Sequence, residues 1–522
     1  MREMMTLRAF VVVATALVST LAVGCGEADV LDTGEQLAFG LPELGKADNY
    51  ISTNAREYEL SGTSQFTVPE TFWDLDDDGK TAKLNSLAAS RTSEVTRAIK
   101  SHISETLRPF NDGQTGEKAK YFLYVKRNAG DHQNIQVLAD GKTASFEFKF
   151  ELVSHVWLMS KLDPDSSERR TFSVEVKAWP EPTGEMVEVL IEGSESRDAF
   201  PKYKDLFADG VFDIAVHFGG DYNKERLDLG TARWLVESLI DGGFANPMVS
   251  KFEDLKIDSP AFVRTVTVEG RPLEVRVSVV HSDMVEGDQE IELTRTMERS
   301  FQNADVVIYS GHAGEGAGFI LDYQPKHEIR AADFATLPMS DKYQIFVLDG
   351  CRTYRSYVDD LMKNPAKTFD NVDIITTVNT TPFSVGYQVL WEFMYWFTLT
   401  DGDGNHFPLT WQALLRGVNT ANFDDVHYGV HGIDNNPKLN PHGGAPACTP
   451  CERDSDCGAG GNMCLGYPSG AACGVACSTD TACPDGYRCA RLTDDPDSFH
   501  LPKQCLKKDY VCPSVAQQTP AQ

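Results

Sequence analysis

The chain has 522 residues, with 77 acidic and 48 basic side chains and a formal net charge of −29. Such a surface favours solubility and repels phosphate backbones, which argues against a nucleic-acid partner. The length suffices for two or three domains with their own cores, and beyond the N-terminus no apolar run is long enough to cross a bilayer.

The first elements are those of export. Arg2 and Arg8 give a positive start, and an apolar stretch opens at Ala9 and runs to Leu21-Ala22-Val23-Gly24-Cys25. A short apolar core with small residues before the cut is a secretory signal. Its end resembles a lipobox, the processing site of bacterial lipoproteins, with Ala22 where Leu is commoner. The resemblance implies that Cys25 is acylated, that residues 1–24 are removed and that 25–48 form a lipidated tether. Gly26 stands where Asp would signal inner-membrane retention, so the implied location is extracytoplasmic and on the outer membrane. Of twelve cysteines, ten lie between Cys448 and Cys512, leaving Cys351 with no obvious partner. In an oxidising compartment an isolated thiol calls for a function.

Residues 49–205 read as a strand-rich domain. Phe146, Phe148, Phe150 and Leu152 alternate with polar neighbours, as do Phe172, Val174 and Val176, and Val187, Val189 and Ile191. One helix is expected near 83–107. No catalytic pattern occurs here, which suggests a packing, binding or inhibitory role.

Residues 206–440 change character. Strands are expected at Phe212–Phe218, Leu273–Val280, Asp305–Ser310, Tyr343–Leu348 and Val372–Val378, with helices at Thr231–Ile240, near 289–301 and at Val385–Thr398. Short, nearly all-apolar strands separated by helices indicate an α/β fold, a mostly parallel sheet sandwiched by helices. Residues 446–513 form a small disulfide-rich domain. Cys448, Cys451, Cys457 and Cys464 are echoed by Cys473, Cys477, Cys483 and Cys489, followed by Cys505 and Cys512. Asp-Ser-Asp-Cys457 matches Asp-Thr-Ala-Cys483, so the module reads as a duplication. Disulfides suit it better than zinc in an exported chain, and the spacing leaves their pairing open.

Two apolar strands end in reactive residues: Val306-Val-Ile-Tyr-Ser310-Gly311-His312-Ala313-Gly314 and Ile345-Phe-Val-Leu-Asp349-Gly350-Cys351. Open parallel sheets bind ligands at the carboxyl ends of their strands. If these strands are neighbours, His312 can activate the Cys351 thiol.

These segments resemble the caspase-like superfamily of cysteine peptidases, which includes caspases, metacaspases, legumains, clostripain and gingipains. Tyr309-Ser310-Gly311-His312 is similar to the metacaspase Tyr-Ser-Gly-His-Gly, with Ala313 in place of the last Gly, and Asp349-Gly350-Cys351 to its Asp-x-Cys. The resemblance implies His312 as general base and acid, Cys351 as nucleophile through a thioacyl intermediate, and an oxyanion hole from backbone N–H groups at Ala313, Gly350 and Cys351. It further implies that Asp349 lines the pocket for an Arg or Lys before the cut bond; the alternative is that Asp349 caps the turn after its strand.

Other motifs are weaker. Asp74, Asp76 and Asp78 begin like a calcium loop that lacks its final Glu, and Asp401, Asp403 and Asn405 have acid spacing suited to calcium. Neither Gly-Lys-Thr is a P-loop, and no Gly-x-Ser-x-Gly or His-Glu-x-x-His occurs. The sequence therefore points to a membrane-anchored cysteine endopeptidase acting on peptides or proteins, with no required cofactor and calcium as an option. The rival reading is an inactive relative that serves as a surface-binding or adhesion protein.

Overall fold

The computed structural model describes residues 46–111, 124–126, 130–162, 169–177, 184–194, 197–314, 318–421, 426–434, 438–493 and 501–512. The expected signal segment and Cys25 lie outside them. In chain order the first strands are β1 (Tyr50–Ser52), β2 (Ala55–Thr67), β3 (Tyr124–Lys126), β4 (Asp131–Val137), β5 (Thr143–His155), β6 (Arg169–Val176) and β7 (Glu185–Gly193). They are followed by β8 (Val211–Phe218), β9 (Phe262–Val268), β10 (Arg271–Val280), β11 (Val306–Ser310), β12 (Ala313–Gly314), β13 (Gly318–Tyr323), β14 (Lys326–Ile329), β15 (Gln344–Asp349), β16 (Val372–Thr377) and β17 (Tyr428–His431).

Eight of these strands form the central sheet, in the order β1-β17-β16-β15-β11-β8-β10-β9. The run β10, β8, β11, β15 and β16 is parallel, and antiparallel pairings add β9 at one edge and β17 and β1 at the other. Buried strands covered on both faces need apolar residues at every position, and alternate ones serve opposite layers. Val306, Ile308, Ile345 and Val347 join the layer that holds the helices Leu227–Asp241, Phe383–Phe397 and Trp411–Ala421. Val307, Tyr309, Phe346 and Leu348 join the other, where the helix Ile291–Asn303 buries Leu293, Met297 and Phe301 at four-residue spacing.

The strand-rich domain is a second sheet, β3-β5-β2-β7-β6 with β4 on β5. Its inward residues Phe146, Phe148, Phe150, Val187 and Val189 pack on Val95, Ile99 and Ile103 of one long helix, Asp77–Asn111. The domain boundaries differ from those read off the sequence. Strand β1 belongs to the central sheet, and Lys46 Nζ bonds to the Val372 and Gly432 carbonyls at 2.8 and 2.7 Å and pairs with Asp373. The chain is therefore docked from Lys46 on, inside the expected tether. Ala199, Phe200, Tyr203 and Leu206 also lie in the central core, so the second boundary falls before them.

Five disulfides hold the C-terminal module: Cys448–Cys512, Cys451–Cys464, Cys457–Cys473, Cys477–Cys489 and Cys483–Cys505. The duplication holds, but its frame moves by one cysteine. Each repeat links its first cysteine to its third and its second to its fourth, starting at Cys451 and at Cys477, while Cys448–Cys512 closes the whole. The echoed aspartates do equivalent work, Asp454 accepting the Cys464 N–H at 2.7 Å and Asp480 the Cys489 N–H at 2.8 Å.

Candidate active site

The strand order places a topological switch between β8 and β11, since β8 is followed on one side by β10 and on the other by β11. Ligands of such sheets bind outside the carboxyl ends of the strands at this point. The residues that leave β8, β11 and β15 there are Gly219–Tyr222, Gly311–Ala313 and Gly350–Cys351. Strands β11 and β15 are neighbours in register, with Ser310 opposite Asp349. His312 and Cys351 each lie two residues past that pair, on the same sheet end.

Backbone bonds carry the register beyond the strands. The Gly311 N–H donates to the Asp349 carbonyl at 3.0 Å, and the Gly219 N–H to the Ser310 carbonyl at 2.9 Å. The two loops approach so closely that a Cβ on Gly311 would stand 2.9 Å from the Gly219 Cα. Tyr309, buried beneath them, places its hydroxyl 2.6 Å from the His312 carbonyl oxygen, to which it donates.

The His312 ring is held on several sides. Its Nε2 lies 3.3 Å from Asp221 Oδ1, and Asp221 is buried with Oδ2 lacking a hydrogen-bond partner. Tyr222 stacks on the imidazole at 5.1 Å, while Phe383 and Tyr323 meet it edge-on at 4.9 and 5.8 Å. Burial, with Tyr222 and Asp221 adding to it, pushes the Tyr323 hydroxyl up to about 12, so it faces the ring as a neutral phenol. An Nε2–H donated to Asp221 leaves Nδ1 as the atom that can accept a proton. Neither Asp221 nor the aromatic wall was named from sequence. The available signal was an acid directly after Gly219-Gly220 at the end of an apolar strand, and its meaning depended on the strand order.

Around Cys351 the backbone is tightly specified. The Gly350 carbonyl accepts from the Thr377 hydroxyl and, at 3.1 Å, from the Thr381 hydroxyl, on the β16 side. A trans peptide then directs the Cys351 N–H to the opposite side, toward β11. Arg352 adopts a left-handed conformation at φ 54°, and its N–H is tied to the Asn379 carbonyl at 3.0 Å. A Cβ on Gly350 would come within 2.4 Å of the Ala313 Cβ. The alanine in the His312 segment is thus matched by a glycine beside Cys351. Ala313 pairs with Phe319 as an extended residue and is not among the positive-φ positions, so no glycine-only angle is required there.

Two expectations change. Asp349 does not line an open pocket: it is 2% exposed, its Oδ1 accepts from Tyr428 at 2.7 Å and its Oδ2 from Ser310 at 2.7 Å. Burial raises its pKa, and the structure favours the structural role left open above. Cys351 is disulfide-bonded, to a partner outside the described residues, instead of standing as a leftover thiol. Subtracting an anchor and ten module cysteines does not decide pairing in a chain with an even cysteine count. At the two calcium spacings the structure shows local hydrogen bonds. Asp76 accepts the Gly79 N–H at 2.8 Å where the long helix begins, and Asp77 and Asp78 lie in its first turn, where their charge suits the helix dipole. Asp401 Oδ1 accepts the N–H groups of Asp403 and Asn405, both at 2.9 Å, closing its own turn.

Comparison of the chain with protein-family models, with curated proteins and with solved structures finds no match.

Proposed function

We propose that this protein is an exported cysteine endopeptidase of caspase-like fold, with Cys351, in its reduced form, as nucleophile and His312 as its general base and acid. The observation that carries the reading is the register of β11 and β15, which brings the ends of the two reactive segments together at the switch point. The thiolate attacks the scissile carbonyl carbon, the oxyanion receives the Cys351 N–H, and His312 passes the thiol proton to the leaving amine. Water, deprotonated by His312, then hydrolyses the thioacyl enzyme. Asp221 orients the imidazole. We retain cleavage after Arg or Lys as the preference on the net charge of −29, which draws cationic peptides. The disulfides of the C-terminal module fit an extracytoplasmic setting.

The disulfide on Cys351 favours a second reading, an inactive relative acting as a surface-binding protein, because in that form no nucleophile exists. Reduced full-length protein treated with a peptidyl chloromethyl ketone ending in Arg separates the two. The proposal expects alkylation at Cys351, mapped by mass spectrometry and lost in H312A. Equal labelling of wild type and H312A, or none, supports the second reading.

A further inference from the structure

Tyr354 lies three residues past Cys351, in the short helix Thr353–Ser356, and is fully buried. Its hydroxyl donates to Glu57 Oε1 at 2.6 Å. Glu57 belongs to β2, in the strand-rich domain, and is only 6% exposed. The contact is not isolated. Ala55 and Val153 of that domain cluster with Tyr354, Tyr50 and Val378, and the Tyr354 ring meets Tyr50 at 5.4 Å and His431 at 5.2 Å. Beside Tyr354, the Thr353 hydroxyl donates to the Leu348 carbonyl at 2.8 Å and accepts from the Thr377 N–H at 2.9 Å. The turn that carries Cys351 is thereby clamped from one side by β15 and β16 and from the other by a different domain.

A buried carboxylate is costly unless hydrogen-bonded, and a phenol donating to a carboxylate is a short, directional bond. We infer that the strand-rich domain is a fixed part of the active-site frame, with Glu57 a positioning residue that sets the Cys351 turn through Tyr354. The domain then supports the thiol instead of capping the cleft. The consequence for turnover rests on the peptidase reading; the consequence for the thiol does not.

The test uses the full chain after mild reduction, comparing E57A, E57Q and E185A. Glu185 pairs with Arg91 inside the strand-rich domain, so E185A reports on general weakening of that domain. Two readouts are taken: the rate of Cys351 alkylation by iodoacetamide across pH, and kcat and KM on an Arg peptide. E57A is expected to slow alkylation and to lower kcat by about tenfold or more at unchanged KM, as loss of reacting-group placement does. E57Q keeps an acceptor oxygen and should recover most of both, and E185A should match wild type. Should E57A fail to fold, Y354F, which removes only the hydroxyl, carries the same expectation. Wild-type alkylation in E57A, or an equal loss in E185A, overturns the inference. If wild type cleaves nothing while E57A slows alkylation and E57Q restores it, the positioning role stands and the peptidase reading falls.

Discussion

His312 Nε2 lies 3.3 Å from Asp221 Oδ1, a contact that joins the segment leaving β11 to the segment leaving β8. It fixes which imidazole nitrogen remains basic. D221N should lower kcat/KM by about a hundredfold, within the range for general acid–base effects, and mainly through kcat. Steady-state kinetics with an Arg peptide would check this, and an unchanged kcat would remove Asp221 from the site.

Ala313 and Gly350 should behave as one packing unit. G350A drives one Cβ into another and is expected to cost roughly 1–3 kcal/mol, as overpacking does. A313G combined with G350A removes that clash and leaves the Gly311 carbonyl at 3.1 Å from the new Cβ, so the pair should recover part of the loss. A double-mutant cycle in urea should return a coupling of about 1 kcal/mol or more. Strict additivity would contradict the account.

Asp349 is assigned to structure. D349A leaves the Ser310 and Tyr428 hydroxyls buried without their acceptor, at a cost on the order of 1–3 kcal/mol for each. D349N, which keeps one carbonyl oxygen, should cost less. Thermal melts measure both, and a peptide panel should show the Arg-to-Lys ratio unmoved in D349N. A changed ratio would return Asp349 to the substrate pocket.

Asp305, just before β11, is pushed up to about 6 by burial, against the opposing pull of Lys342 at 2.7 Å and the Asp213 N–H at 2.8 Å. The folded state thus holds this proton more tightly than the unfolded chain. Its contribution is fully present below the unfolded pKa of about 4 and is lost as pH rises through about 6. Unfolding free energies between those limits should fall by roughly 1–3 kcal/mol in wild type, and this part of the slope should be absent in D305N.

Much of the central sheet was legible because fully buried parallel strands carry unbroken apolar runs, as Val306–Tyr309 and Ile345–Leu348 do. The spacing of Leu293, Met297 and Phe301 likewise marks its helix. Short edge pieces were not legible: Tyr50–Ser52 is three residues long and pairs with a strand almost four hundred residues away in sequence. The roles of Asp349 and Asp221 depend on Tyr428 and His312, partners that only the strand order supplies. In the module, cysteine spacing permitted more than one repeat frame, and the pairing alone selects that starting at Cys451.

The most direct measurement is hydrolysis of fluorogenic peptides ending in Arg, Lys, Asn or Asp by the reduced protein, alongside C351A and H312A. Turnover after Arg or Lys is expected, abolished in C351A and reduced by orders of magnitude in H312A. Turnover that survives C351A, or no turnover of any peptide by protein whose Cys351 is demonstrably reduced, would contradict it.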